Sequence, residues 1–437
     1  MLEFVGILLF ALVIGLSIAL HELGHLLPAK AFGVKVTEYM IGFGPKVWSK
    51  TVGETRYGLK LIPLGGYIRM IGMIPPARAG ESDGRSGGRF AAMIADARRA
   101  SLEEVGPGDA DRVFYRLPVR KRILIMMGGP TMNLVMAFVL FAIVLVGIGL
   151  PQPSMRVAAL VACTPSLAHP TGEPLPSGNC PEGTSPAPGV AAGLAVDDAI
   201  TAVDGRPATS WSDVTDWIWA HPGSQVTLTV DRAGTPHEVP VTVASINRPV
   251  VDDSGNETEQ TVPSGFIGIR PAFEYVPQPW SSVPAYMWDL TRQSVQALIG
   301  LPISVFDLVS QTLIGGQDRP VNGPVSVVGV SRLGGEIAAM DEPLAAKAAT
   351  FLGLAASLNL FLFLFNLLPV VPLDGGHVAS ALYEAIRRSW AKLRHRPDPG
   401  PVDTARLLPL TYAVAAVLIA MGLIVIWADL VKPISFG

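Results

Sequence analysis

The sequence predicts an α-helical polytopic membrane protein with four transmembrane helices, a small α+β domain inserted outside the membrane and a strand-rich loop inside. Three observations carry this reading. Of 437 residues, 49 % are hydrophobic and 16 % are charged, whereas a soluble domain carries about 25 % charged residues. Four apolar runs, Phe4 to Leu27, Ile123 to Leu150, Ala349 to Leu368 and Leu407 to Leu430, reach the roughly 20 residues that cross about 30 Å of hydrocarbon. Lysine and arginine are unevenly spread, with 17 in residues 28–122 and 6 in 369–406 but only 9 in the longer stretch 151–348. Basic loops stay in the cytoplasm, so the stretch 151–348 and both termini lie outside a multi-pass plasma-membrane protein. The net charge of −3 leaves no basic surplus for phosphates, which excludes nucleic acid as a partner; the lipid bilayer is the partner that the composition implies.

The elements follow in order. Residues 1–28 form the first transmembrane helix. Its leader, Met1-Leu2-Glu3, has no basic residue and no small-residue cleavage site follows it, so it is expected to be retained. Pro28 is expected to end or kink it. Residues 29–122 are a cytoplasmic loop in which 34–72 alternate and turn at glycines, as strands do. The Gly- and Arg-rich part, 76–112, reads as a variable insert. Residues 123–150 form the second span and 151–275 the outside domain, with a short strand at 199–205, a helix near 211–221 capped by Ser210 or Ser212, and a hairpin of 225–231 with 237–243. Residues 276–348 are apolar but interrupted by Asp289, Arg292 and Asp307, the pattern of an amphipathic membrane-surface region. Residues 349–378 form the third span, 379–406 a cytoplasmic loop and 407–431 the fourth span.

Cys163 and Cys180 are the only two cysteines, and both fall outside the cytosol, where a disulfide is the default. Closing that loop contributes about 3 kcal/mol in the chain-entropy account. A metal site with His169 is the alternative, although two cysteines are too few for a typical structural zinc.

The chemistry concentrates in "SIALHELGHLLPAK", residues 17–30. HExxH on a helix sets His21 and His25 one turn apart on one face, where both imidazoles reach a single zinc ion, and Glu22 between them can act as general base on the water that the ion activates. His21 lies 17 residues beyond Phe4, about 26 Å along a helix, so the pair sits near the cytoplasmic edge of the bilayer. Ionisable groups at that depth mark function. A catalytic zinc takes three protein ligands. Glu38 and Glu54 are candidates for the third, but they fall among strands. Asp374, in "NLLPVVPLDGG" at the end of the third span, is the better one by depth. It can equally cap a helix starting at Gly375, and His377 is a rival ligand.

Together "HELGH", "NLLPVVPLDGG" and "GGPTMN" resemble the site-2 protease family of intramembrane zinc metalloproteases nearly end to end. The likeness is strongest to the bacterial, actinobacterial type with one PDZ domain, which cleaves anti-sigma factors. The stretch "AGLAVDDAITAVDG" is similar to a PDZ domain, with Asp197-Asp198 where a Gly-Asp pair is usual. The resemblance implies one Zn2+ per chain held by His21, His25 and Asp374, with Glu22 as base. Asn366 then holds substrate or the developing oxyanion. Asn133 and Asn359 are further inward polar positions, expected to touch substrate or to bind helices together. The strand-rich loop is similar to a re-entrant β-element, whose edge at Gly65 and Gly66 would clamp an unwound substrate by strand addition. The implied activity is an endopeptidase that cuts single-span membrane proteins such as anti-sigma factors, with an outside peptide read at the PDZ-like domain. A non-catalytic membrane scaffold is the alternative, and a metal transporter a third reading. Residues 319–336 also look like a family segment with, at most, a gating role.

Overall fold

In a computed structural model, residues 1–77, 89–165, 173, 179–182, 184–251, 257–316, 319 and 323–434 are described. His169 and residues 78–88 of the insert lie outside them. The chain divides into two units, Met1–Ile148 with Gln278–Gly437, and Gly149–Pro277.

The first unit begins with α1 (Leu2–Ala31). It runs through Pro28 instead of stopping there, because the amide of Phe32 still reaches the Pro28 carbonyl. What Pro28 removes is the donor for the Gly24 carbonyl. Strands β1 (Val36–Val52) and β2 (Thr55–Met70) follow. Each is bent, β1 at Gly42 and Gly44, whose φ of 89° and 86° suit glycine. Residues 38–41 pair with 66–69 on one side and 56–59 on the other, while 46–52 pair with 55–60. The result is a four-run sheet whose edge run, 66–70, has no strand partner on its outer side among the described residues. Then come α2 (Arg89–Glu103), inside the expected insert, and α3 (Val119–Ala142), which continues as a π-helix to Ile148.

The second unit is built on a sheet in the order β10-β3-β4-β6-β7. Its strands are β3 (Leu150–Leu160), β4 (Ala199–Val203), β5 (Arg206–Pro207) beside β4, β6 (Gln225–Arg232), β7 (Thr235–Thr242) and β10 (Ile269–Val276). A hairpin of β8 (Ala244–Val251) and β9 (Glu257–Phe266) and the short α4 (Pro188–Ala191) complete it, with α5 (Trp211–Ala220). Ser210 caps α5, and Asp213 returns the bond in a capping box. Alternation puts Val226, Leu228 and Val230 of β6 and Val239 and Val241 of β7 into one core with Val214 and Ile218 of α5. Gly265 lies so close to the helix that a Cβ there would stand 1.8 Å from the Ile218 carbonyl oxygen. Cys163 and Cys180 form a disulfide.

Asp197 takes a φ of 71°, a left-handed turn that Asp tolerates better than most residues. The buried Asp198 accepts from the Ala195 amide at 2.8 Å and pairs with Arg232 at 2.8 Å. Hydrogen bonding from Arg232 holds its carboxyl below the usual carboxylate range. The stability from this pair is complete above the unfolded value, about pH 4, and is lost as pH falls through the lower folded value. Acidification below pH 4 is therefore expected to speed amide exchange in β4, corrected for its intrinsic pH dependence, and Asp198→Asn to remove that added acid sensitivity. Unchanged sensitivity in the variant contradicts the assignment.

The first unit resumes with α6 (Ser282–Asp307), extended as a π-helix to Ile314, then α7 (Val327–Ala339), α8 (Leu344–Asn366), α9 (Asp374–Leu393) and α10 (Leu408–Val431). Among the described residues, five helices are long and apolar enough to cross a membrane, one more than the sequence suggests. The addition is Ser282–Ile314. Both of its ends pack at the same end of the bundle. The chain enters it with Gln278 bonded to Leu145 near the end of α3, and Val283 and Met287 pack on Phe141 and Leu145. Its far end, Val305 and Leu308, packs on Val425 and Ala428 near the end of α10. There Asp429 accepts from the Ser326 amide at 2.7 Å and pairs with Arg319 at 2.7 Å, both side chains being 2 % exposed. Gly334 and Gly335 of α7 rest on Phe10 and Glu3 of the first half of α1. The expected loop 379–406 holds most of a helix, α9, whose buried Glu384 bonds Arg122 of α3 at 2.5 Å.

Candidate metal centre

Two glycine contacts bring α1 and α3 together. A Cβ at Gly128 would stand 2.0 Å from the Gly24 oxygen, the carbonyl that Pro28 leaves free. A Cβ at Gly129 would stand 2.2 Å from His25 Nε2 and 2.7 Å from His21 Nε2. Small residues thus let the backbone of α3 lie directly against the HExxH turn.

On the other side, α8 ends at Asn366 and the chain turns back through Pro369 and Pro372 into α9. Gly375 and Gly376 make that turn possible, since a Cβ would meet the Leu368 oxygen at 2.3 Å and the Val371 nitrogen at 2.5 Å respectively. Asp374 opens α9 but does not cap it: Leu373 holds the cap position and no side-chain cap bond forms. The Asp374 carboxylate turns to the histidines instead. Its Oδ2 is 3.2 Å from His21 Nε2 and 3.2 Å from His25 Nε2, and the two Nε2 atoms are 3.3 Å apart.

This trio is the His, Cys, Asp and Glu cluster capable of holding a metal among the described residues. Four donors placed tetrahedrally at about 2.0–2.1 Å from zinc stand about 3.3 Å from one another, which the observed spacings match. Asp374 Oδ2 is buried and has no hydrogen-bond donor of its own, a costly state that a cation relieves. The residues therefore fit a zinc ion. His25 Nδ1 lies 2.8 Å from the Ile125 carbonyl. A carbonyl only accepts, so Nδ1 carries the proton and Nε2 offers its lone pair.

Glu22 is 9 % exposed and lies beside the sheet. A Cβ at Gly66 would come 2.8 Å from its Cγ, so only glycine lets the edge run approach this carboxylate. Gly65 has a φ of 117° and faces the Phe43 ring. Tyr39 fastens the sheet by donating to the Ala19 carbonyl at 2.6 Å.

The remaining candidates are elsewhere or otherwise engaged. Glu38 accepts from the Tyr67 hydroxyl at 2.9 Å and Glu54 is bound by Arg112 at 2.6 Å, so neither joins the trio. His377 lines a cleft with Arg122, Ser380 and Glu384. Asn366 is half-buried and donates to the Leu362 carbonyl at 3.0 Å. Asn359 is fully buried, and its amide donates to Ser17 Oγ at 3.0 Å and the Ala355 carbonyl at 2.9 Å, which fastens α8 to α1. Asn133 lies 3.1 Å from His21 Nδ1. Of the two roles expected for Asn133 and Asn359, these partners within the bundle favour the helix-binding one. Sequence reasoning missed Gly24, Gly128, Gly129 and the Ile125 carbonyl. The glycine pair in an otherwise bulky apolar helix was the available signal.

Residues 9–396 match Peptidase family M50. The chain is 35 % identical over 98 % of both chains to zinc metalloprotease Rip1 of Mycobacterium tuberculosis. It is 33 % identical to zinc metalloprotease Rip1 of Mycolicibacterium smegmatis, over 99 % of this chain and 98 % of that one. It is 26 % identical to zinc metalloprotease RasP of Geobacillus kaustophilus, over 98 % of both. With HExxH and Asp374 meeting in one cluster, the chain belongs to peptidase family M50, the site-2 protease family of membrane metalloproteases.

Proposed function

We propose that the chain is an intramembrane zinc endopeptidase that hydrolyses single-span membrane proteins within or near the bilayer, once another protease has removed their outer domain. The observation that carries this reading is the convergence of His21 Nε2, His25 Nε2 and Asp374 Oδ2 to within 3.2–3.3 Å beside the buried Glu22. His21, His25 and Asp374 hold one zinc, as the names of the relatives suggest. Zinc, when bound, supplies a Lewis acid to water and to the substrate carbonyl.

The chain's own residues do the rest. Glu22 takes the proton of the attacking water and returns it to the leaving amide nitrogen as the C–N bond breaks. Asn366, at the end of α8, is the amide donor for the developing oxyanion. A transmembrane helix hides its amides in internal bonds, so the substrate must unwind before it can be cut. The outer edge of residues 66–70, which has no strand partner among the described residues, offers main-chain partners to such a strand, and the Gly66 contact and the Ile68 backbone bond keep that edge beside Glu22.

Four helices span: α1, α3, α8 and α10. The return of α6 to the end of the bundle at which it starts supports a place for it along the outer surface, and its interior charges agree with this. The uneven lysine and arginine count sets the first half of α1 and both termini outside and the trio near the cytoplasmic face. The outside domain, PDZ-like in its strand–helix–hairpin order, reads a peptide or filters substrates by size. Anti-sigma factors are the substrate class that the sequence resemblance supports.

The test is cleavage of a tagged single-span anti-sigma-like protein, with and without its outer domain, in reconstituted membranes. The reading expects cutting of the shortened substrate only, abolished by a zinc chelator and restored by zinc. Chelator-insensitive cutting sinks it.

A further inference from the structure

We propose that Asn133 is a positioning residue whose side-chain carbonyl oxygen accepts the Nδ1–H of His21, leaving the His21 Nε2 lone pair to the metal. The inference rests on the reading of His21 as a ligand.

Three observations support it. Asn133 is 1 % exposed, and its amide points at His21 Nδ1 from 3.1 Å. The other end of the amide has no hydrogen-bond partner. Among the described residues, then, the polar group of Asn133 makes one bond, to His21. Burying an amide for a single bond costs free energy that an apolar residue at the same place would not, so a purely structural role gives no reason for an asparagine here.

The orientation follows from His21. The amide nitrogen lies against Nδ1, but the oxygen and nitrogen of an amide have nearly the same shape, so half a turn about Cβ–Cγ exchanges them in place. If nitrogen donated to Nδ1, the ring proton would sit on Nε2, the atom 3.2 Å from Asp374 Oδ2 and 3.3 Å from His25 Nε2. A protonated Nε2 has no lone pair for a metal. Rotating the amide by half a turn changes no packing and gives Nδ1–H an acceptor. His25 has the same arrangement by other means, with Nδ1 against the Ile125 carbonyl at 2.8 Å. Both ligand rings are then set from α3: the Ile125 backbone fixes one and the Asn133 side chain, two helical turns on, the other.

The test measures zinc affinity by chelator competition on the purified full-length protein in lipid nanodiscs. Asn133→Leu removes the acceptor at nearly constant volume and is expected to weaken zinc 10–100-fold. Asn133→Asp restores an acceptor that cannot donate and is expected to stay within about threefold of wild type, since a carboxylate serves ligand histidines in this way. An Asp variant as weak as the Leu variant overturns the proposal, because that is the behaviour of a required donor. A Leu variant that binds zinc as wild type does also overturns it. His21→Ala separates the two levels of the claim. If it still binds zinc tightly, the ligand reading itself fails; if it loses zinc while Asn133→Leu does not, only the positioning role fails.

Discussion

Glu22→Gln is expected to lower proteolysis in reconstituted membranes by 10²–10⁴-fold while leaving one zinc per chain. The size of the loss is that of a missing general base. Zinc is retained because the two side chains have the same shape and Glu22 is not one of the three clustered donors. The packing around it should also survive, since Gly66 lies against its Cγ and the Ile68 backbone that bonds its carboxylate can bond the glutamine amide oxygen equally well. Metal content and cleavage rate measured on one preparation check this. Near wild-type cutting by the variant contradicts the base assignment, and loss of zinc contradicts the division of labour between Glu22 and its neighbours.

Gly129→Ala is expected to cost at least 100-fold in activity together with most of the bound zinc. The added methyl would start 2.2 Å from His25 Nε2, whereas non-bonded heavy atoms settle near 3.5–4.0 Å. Either α3 retreats or the imidazole leaves its place, by more than 1 Å in both cases. A misplacement of 1 Å is enough for a 100-fold loss. The substitution should not unfold the helix, because alanine is a better helix former than glycine by about 1 kcal/mol. Gly15→Ala is the control: it lies on α1, and nothing stands within 4 Å of its Cβ position, so wild-type activity and zinc are expected. Equal behaviour of the two variants contradicts the close-packed account of the site.

What was legible in the sequence follows from the range of the signals. HELGH is read within one helical turn, so its geometry is local. Asp374 was legible because depth in a bilayer can be counted from the ends of an apolar run. The strand–helix–hairpin of residues 199–243 was legible from alternation and from a capping serine at 210 or 212. Contacts between distant segments were not. Nothing local to Arg319 announces Asp429, and nothing local to Asn359 announces Ser17, because each pair is fixed only when helices pack. Strands turning at glycines were legible in 34–72, but the four-run sheet was not, because nothing local tells that residues 38–41 pair with both 66–69 and 56–59. In 379–406 the run of Arg and Pro reads as a loop, yet α9 forms because Ala381 and Glu384 face Arg122 and its neighbours, contacts that no local pattern reveals. Pro28 misled in the other direction. A proline deletes one hydrogen bond, and here the freed Gly24 carbonyl meets Gly128 across the helix interface while the helix continues.

The most direct test of the central claim is the position of the cut. In the reconstituted reaction with a single-span substrate lacking its outer domain, the masses of both fragments fix the hydrolysed bond. The account predicts one main cut inside the apolar segment, towards its cytoplasmic end, matching the depth of His21, His25 and Asp374. A cut confined to the water-exposed flank outside the membrane would contradict it.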